Sequence, residues 1–411
     1  MRIATPVIVG ALCAIVPACG DDGGRAESST IQTSSATTGA TGTSAATGPT
    51  GSETGAPTSG PATTGTSDAS VGTSAPVTTG SGGETSSGNE TTGGVTGGTT
   101  GGETTDGDTT TGAACNDVLP VPAGPEAVLA DEYKANYIPY DLGTVPAAGG
   151  GVLPRLGGLV VSPQDPNLAY VIGPSEVPEA ELHVIGLERG PCGHIIGFKG
   201  EAMKVLTAPY IDLMVNGPKG VAFISHYPTR QLSQYVAGQA ALASTIDLQA
   251  LGMEAIYSPG GINFVPPGYA DAGQLRIAAF KIDHVGTSGW YQAKIAFQDP
   301  AYAITELTKT VDVPNGPGGF AYIPEGSPLF PEQRIMMTEW TAQPQAVSSY
   351  AVDAAGDPIP ASRKPFFTSF VKPWGSYFEP ETGDYIFLQW ENQPDHVYIV
   401  QGFVPPPPLP G

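Results

Sequence analysis

The chain has 411 residues and a formal net charge of −22, with 56 glycines and 41 prolines. Sustained negative charge repels phosphate backbones and excludes nucleic acid as a partner. The length would serve two ordinary domains, yet composition leaves one. Residues 20–112 are almost wholly Thr, Ser, Gly, Ala and Pro, too poor in apolar surface to offset the entropy of ordering.

Residues 1–18 read as an export signal. Arg2 supplies the positive start, and 7–16 form an apolar run too short to span a bilayer. The run ends in Val16-Pro17-Ala18-Cys19-Gly20, which resembles the cleavage box of bacterial lipoproteins, with Pro17 departing from the usual residue there. The resemblance implies that Cys19 becomes the lipid-bearing N-terminus and holds the protein to a membrane. Several acyl chains on one cysteine anchor stably where a single chain binds marginally. The alternative is ordinary secretion with cleavage after Ala18. Gly20 rather than Asp follows the cysteine, and by the enterobacterial pattern this implies the outer membrane, facing the periplasm or the cell surface. Residues 19–114 then form a disordered tether, either a bare spacer or an O-glycosylated stalk.

The globular part spans 115–403 and a Pro-rich tail 404–411. Cys115 and Cys192 are its two cysteines. In an exported chain they read as one disulfide, the alternative being two separate thiols. A glycine-led phrase recurs along this part: Gly157-Gly158-Leu159, Gly220-Val221-Ala222, Gly260-Gly261-Ile262, Gly318-Gly319-Phe320 and Gly375-Ser376-Tyr377. Recurrence every ~40–60 residues marks a radial or stacked repeat.

Each phrase is taken as a first strand. Second strands follow at 168–172, 231–236, 275–280, 335–340 and 385–390, after turns rich in Pro, Gly, Asn and Asp. Third strands are expected at 182–187, 291–297, 347–352 and 397–403, and fourth strands at 244–248, 304–313 and 366–371. Strands of this length with almost no helical periodicity predict an all-β fold. Four-stranded units repeated about an axis predict a β-propeller. We count five repeats, with room for a sixth blade between Leu182 and Tyr210. The last repeat shows three strands, and 136–142 offers an extra one, so an N-terminal strand is expected to complete the last blade and remove its open edge.

Leu142-Gly143-Thr144-Val145-Pro146, Gly193-His194-Ile195-Ile196-Gly197-Phe198, Gly319-Phe320-Ala321-Tyr322-Ile323-Pro324 and Thr382-Gly383-Asp384-Tyr385 together resemble a group of uncharacterised exported bacterial propeller proteins. More loosely, the chain is similar to NHL-type and gluconolactonase-like propellers. In the latter, an axial divalent ion is held by carboxylate and amide oxygens. The resemblance therefore points to Asn216, Asn263, Asp312 and Asn315 as axial positions, and oxygen donors of this kind suit calcium. A Glu expected before the phrase at Gly319 is absent; Gly318 stands there.

No hydrolase elbow, zinc motif or phosphate loop is present. His226, beside Tyr227, is the better functional candidate among five scattered histidines. Trp374, beside Pro373, replaces the glycine of other repeats and is either a sugar-stacking aromatic at an axial mouth or a packing residue. The reading is a monomeric, lipid-anchored propeller without a cofactor, acting as a binding or scaffold module for a protein or glycan and more a binder than an enzyme. The alternative is a calcium-dependent lactonase- or esterase-like hydrolase.

Overall fold

The computed structural model describes residues 119–390 and 394–409. All belong to the unit Gly101–Gly411. The leader, Cys19, the tether and Cys115 lie outside the described residues.

Five sheets, antiparallel but for one parallel pairing at the edge of blade one, are arranged as the blades of a propeller. Their innermost strands are Leu159–Val161, Ile211–Asn216, Tyr257–Phe264, Pro317–Tyr322 and Pro373–Phe378, in blades one to five. The inner strands are apolar runs, because neighbouring blades cover both of their faces. Pro317–Tyr322 is buried at every position, and so is Val221–His226, which lies next to the inner strand of blade two. Outer strands recover the alternation of a half-exposed sheet, as in Ala301–Val313 of blade three.

The phrase at Gly220 is not a first strand. Ile211–Asn216 holds that place in blade two, and Val221–His226 pairs with it as the second strand. Gln231–Val236 is accordingly the third. Gly220 serves a tight turn instead, with φ +71°, next to Lys219 at φ +57°. Glycine marks turns as well as axial contacts, and here the two signals coincide in sequence.

No sixth blade exists among the described residues. The stretch after Leu182 forms the long hairpin Glu181–Arg189 and Ile195–Thr207, the third and fourth strands of blade one. Its turn is held by Arg189, which donates to the Gly193 carbonyl at 2.5 Å.

The ring closes as expected. Ile138–Gly143 pairs with Val397–Gln401, opposing Tyr140 to Ile399 and Asp141 to Tyr398. The N-terminal segment does more than close blade five. Val128–Leu129 pairs with Lys364–Ser369 on the edge of blade four, and Ala147 pairs with Ala202 on the edge of blade one. One segment thus covers the outer edges of three blades, and an uncovered edge would template association. Tyr137 locks it in place, packing on Phe330, Phe366 and Phe403 with ring centroids 4.4–6.0 Å away.

The seam between blades five and one is polar. Arg189 donates to buried Glu379 at 2.8 Å, and His194 Nδ1 lies 2.7 Å from Asp384 Oδ1. His194 therefore bonds to a carboxylate across the seam.

Candidate functional site

The propeller axis is closed by backbone. A Cβ on Gly158 would come within 2.5 Å of Met214 N, one on Gly261 within 2.9 Å of Gly319 Cα, and one on Gly319 within 2.6 Å of Gly375 C. Those glycines let adjoining inner strands touch. The space left among them is about 10 Å³, roughly enough for one water. The axis itself therefore has no room for a ligand larger than a water.

The end at which the inner strands begin is roofed by tryptophans. Trp374 opens the inner strand of blade five, and its ring lies on Gly318, where a Cβ would meet Cε3 at 2.3 Å. This is why glycine stands at 318. Trp374 is 3% exposed. Its ring centroid is 5.5 Å from Trp390, stacked, and 5.5 Å from Trp340, edge-on. The Arg155 guanidinium carbon sits 5.3 Å from the Trp390 ring centroid, in cation–π range. The Trp390 indole donates to Ser175 Oγ at 3.1 Å.

Beneath this roof lies Asp212, with no exposure. Its Oδ1 accepts from Trp374 Nε1 at 3.0 Å, and its Oδ2 has no hydrogen-bond partner among the described residues. Burial pushes the carboxyl up to about 7, opposed by the Trp374 bond and the Arg155 charge. Tyr227 faces the same carboxylate; burial raises its hydroxyl first, and Glu176, Asp212 and Asp283 raise it further. Asp212, Arg155 and Glu176 were not singled out by the sequence reading. The available signal was a lone carboxylate inside the apolar run Ile211-Asp212-Leu213-Met214-Val215.

The end at which the inner strands finish carries a cavity of about 440 Å³, lined by Asn216, Asn263, Phe264, Tyr322, Tyr377 and Phe378 among others. A second cavity of about 640 Å³ adjoins it, lined by Tyr269, Tyr322, Glu325 and Phe330 among others. Tail residues Pro406 and Pro407 line both. The tail reaches this face over the turn at Gly383, where a Cβ would meet Val404 C at 2.4 Å. Leu409 packs against the core between blades two and three.

Asn216 and Asn263 play matching parts here. Asn216 Nδ2 donates to the Val161 carbonyl at 2.7 Å, joining blades two and one. Asn263 Nδ2 donates to the Phe320 carbonyl at 3.0 Å, joining blades three and four. The Tyr377 hydroxyl lies beside Asn216, yet neither it nor Asn216 Oδ1 reaches hydrogen-bond geometry with a described residue.

The other sequence candidates lie elsewhere. His226 ends the second strand of blade two and is buried; Nδ1 donates to the Pro209 carbonyl at 2.8 Å and Nε2 lies 2.7 Å from Ser233 Oγ. Both ring nitrogens are engaged, which fits a neutral structural histidine, and burial lowers its pKa. Asn315 turns into the inner strand of blade four at the tryptophan end and donates to Glu339 at 3.1 Å. Asp312 sits on the outer strand of blade three, 2.8 Å from Lys309 Nζ. Asn216, Asn263, Asp312 and Asn315 therefore do not converge, and as a set they do not fit one calcium ion. Among the described residues, no three His, Cys, Asp or Glu side chains group as a metal site. Cys192 is disulfide-bonded; the chain's other cysteines lie outside the described residues.

Fold and site define the class: a five-bladed β-propeller whose axis is sealed, with an aromatic cavity at one end. No family model matches the sequence, and no curated protein matches it. Among solved structures, the chain is similar to an oxidoreductase (glucose dehydrogenase) from Thermus thermophilus, at 15% identity and a TM-score of 0.37 over 69% of this chain and 97% of that one. It is also similar to an exo-β-1,3-galactanase from Phanerochaete chrysosporium, at 8% identity and a TM-score of 0.42 over 63% of this chain and 64% of that one. At such identities the likeness is one of fold.

Proposed function

We propose that this protein is a lipid-anchored, extracytoplasmic binding or scaffold module, held at the outer membrane through Cys19, that engages a partner at the end of the axis where the inner strands finish. The observation that carries this reading is the lining of the 440 Å³ cavity, which is aromatic, proline-rich and, among the described residues, bears a single charged side chain, Lys219. Acid–base hydrolysis calls for a positioned pair of ionisable groups. Apolar walls with a few fixed amides suit recognition instead.

The anchor and the metal question are tested separately. Cys19→Ser should move the full chain from the membrane to the soluble fraction and abolish labelling by a fatty-acid precursor. A chain that stays in the membrane, or keeps its label, would remove the lipid anchor from the reading. A thermal melt in excess calcium and in chelator should show no difference. A ligand at 100 times its dissociation constant stabilises by about 2.7 kcal/mol, several degrees of melting temperature. A shift of that size would instead support the calcium-dependent hydrolase and call for lactone and ester substrates.

A further inference from the structure

We infer that the face formed by the two adjoining cavities is a recognition site for proline-rich peptides, and that the chain's own tail is its built-in competitor. The inference rests on the binding-module reading and assigns that module its ligand class.

The four prolines at 405–408 fix φ near −65° and hold each preceding residue extended, so the segment is a left-handed polyproline helix. It has no N–H groups and cannot join a sheet. Pro406, Pro407 and Pro408 line the cavity wall. Pro406 and Pro407 share Tyr322 and Pro266 as lining neighbours in both cavities, so the proline run crosses a ridge between two hollows. That ridge is rigid. The Tyr322 hydroxyl donates to the Gly356 carbonyl at 2.8 Å, and its ring packs on Tyr269 with centroids 5.4 Å apart.

Proline segments dock on aromatic-lined surfaces because the helix is already ordered and little entropy is lost. The tail stays only lightly held along this path. Residues 405, 407 and 408 are exposed, and Val404 N to Ser327 Oγ is a long bond of 3.4 Å. A segment attached in cis acts at an effective concentration on the order of millimolar. An outside peptide of the same chemistry must displace it, so occupancy of this face reports the local concentration of proline-rich chains.

The test uses the exported chain intact and truncated after Phe403, with a fluorescent peptide Val-Pro-Pro-Pro-Pro-Leu-Pro-Gly followed by anisotropy. The truncated protein should bind saturably, at least tenfold tighter than the intact one. A control peptide with glycines in place of the second and third prolines should bind at least tenfold more weakly. A folded truncated protein that binds no tighter than the intact chain would overturn the proposal. Equal binding of the two peptides would overturn the polyproline assignment and leave a peptide-binding module standing. If truncation unfolds the protein, the proline peptide added in trans should restore its melting transition, and failure to do so would also overturn the proposal. A second variant of full length, Pro406→Gly with Pro407→Gly, should bind the outside peptide more tightly than the parent; no gain would count against tail competition.

Discussion

The Trp374 indole of blade five donates to the Asp212 carboxylate of blade two at 3.0 Å. Blade one stands between these two in the ring, so a single hydrogen bond ties blades that are not neighbours and roofs one end of the axis. Trp374→Phe should keep most of the ring cover and lose the bond. The expected cost is about 1–3 kcal/mol, the price of leaving a buried acceptor unsatisfied. Trp374→Ala should cost more, about 3–5 kcal/mol. Chemical denaturation of the two variants checks the order; equal stability of Trp374→Phe and the parent would mean the bond contributes nothing.

Asp212 should make stability depend on pH in an unusual direction. Its folded pKa, near 7, lies above the ordinary carboxylate value of 3.8. Between those values the folded state holds a proton that the unfolded chain has released. The Asp212 contribution to stability is therefore full at about pH 4, declines as pH rises, and levels off above about pH 7. The whole decline is roughly 4 kcal/mol at most. His226, whose pKa is lowered by burial, acts oppositely below its ordinary value of 6.5. Asp212→Asn isolates the first effect. The variant should be more stable than the parent at pH 8, and the difference should shrink or reverse toward pH 4. A constant difference across that range would show that Asp212 stays ionised in the folded protein.

The sealed axis predicts intolerance of a single methyl group. Gly319→Ala places a Cβ within 2.6 Å of backbone in blade five. Forcing the blades apart should cost about 1–3 kcal/mol or more. Gly151→Ala is the matched control, since its Cβ would meet nothing closer than 3.9 Å. Urea midpoints of the pair read the contrast, and similar midpoints would mean that the inner strands are not in contact.

Closure by the N-terminal segment predicts that its loss exposes an edge. A chain lacking residues 119–143 leaves Val397–Gln401 unpaired on its outer side and uncovers the edge of blade four. Size-exclusion chromatography should show oligomers or aggregate in place of a monomer. Tyr137→Ala is the milder version. It removes a ring buried among Phe330, Phe366 and Phe403 and should cost about 3–5 kcal/mol. A monomeric deletion variant of undiminished stability would place the closing interaction elsewhere.

Much of the architecture was legible because local chemistry repeats. Gly157-Gly158, Gly260-Gly261, Gly318-Gly319 and Gly375 each mark an inner strand, and the extra strand near Tyr140 belongs to the last blade. Blade two escaped because its inner strand, Ile211–Asn216, has no glycine pair, while a turn glycine stands just before its second strand. The fourth strand of blade one escaped because Ile195–Thr207 is polar along its exposed face. Of the residues proposed for the axis, Asn216 and Asn263 do line a cavity there. His226 and Asp312 do not, because a polar residue beside a turn looks alike whether it faces the axis, a neighbouring strand or solvent.

By itself the sequence determined the repeat, the strand chemistry and the order of the blades, since these follow from glycine placement, β-branched runs and turn residues acting over a few positions. Only the tertiary structure decided what happens on the axis. Whether a carboxylate at 212 is solvated or roofed depends on Trp374, 162 residues away. Whether the opposite end stands open depends on a tail that leaves the third strand of blade five and crosses it. Burial and charge are set by neighbours in space, and in a closed ring those neighbours come from distant parts of the chain.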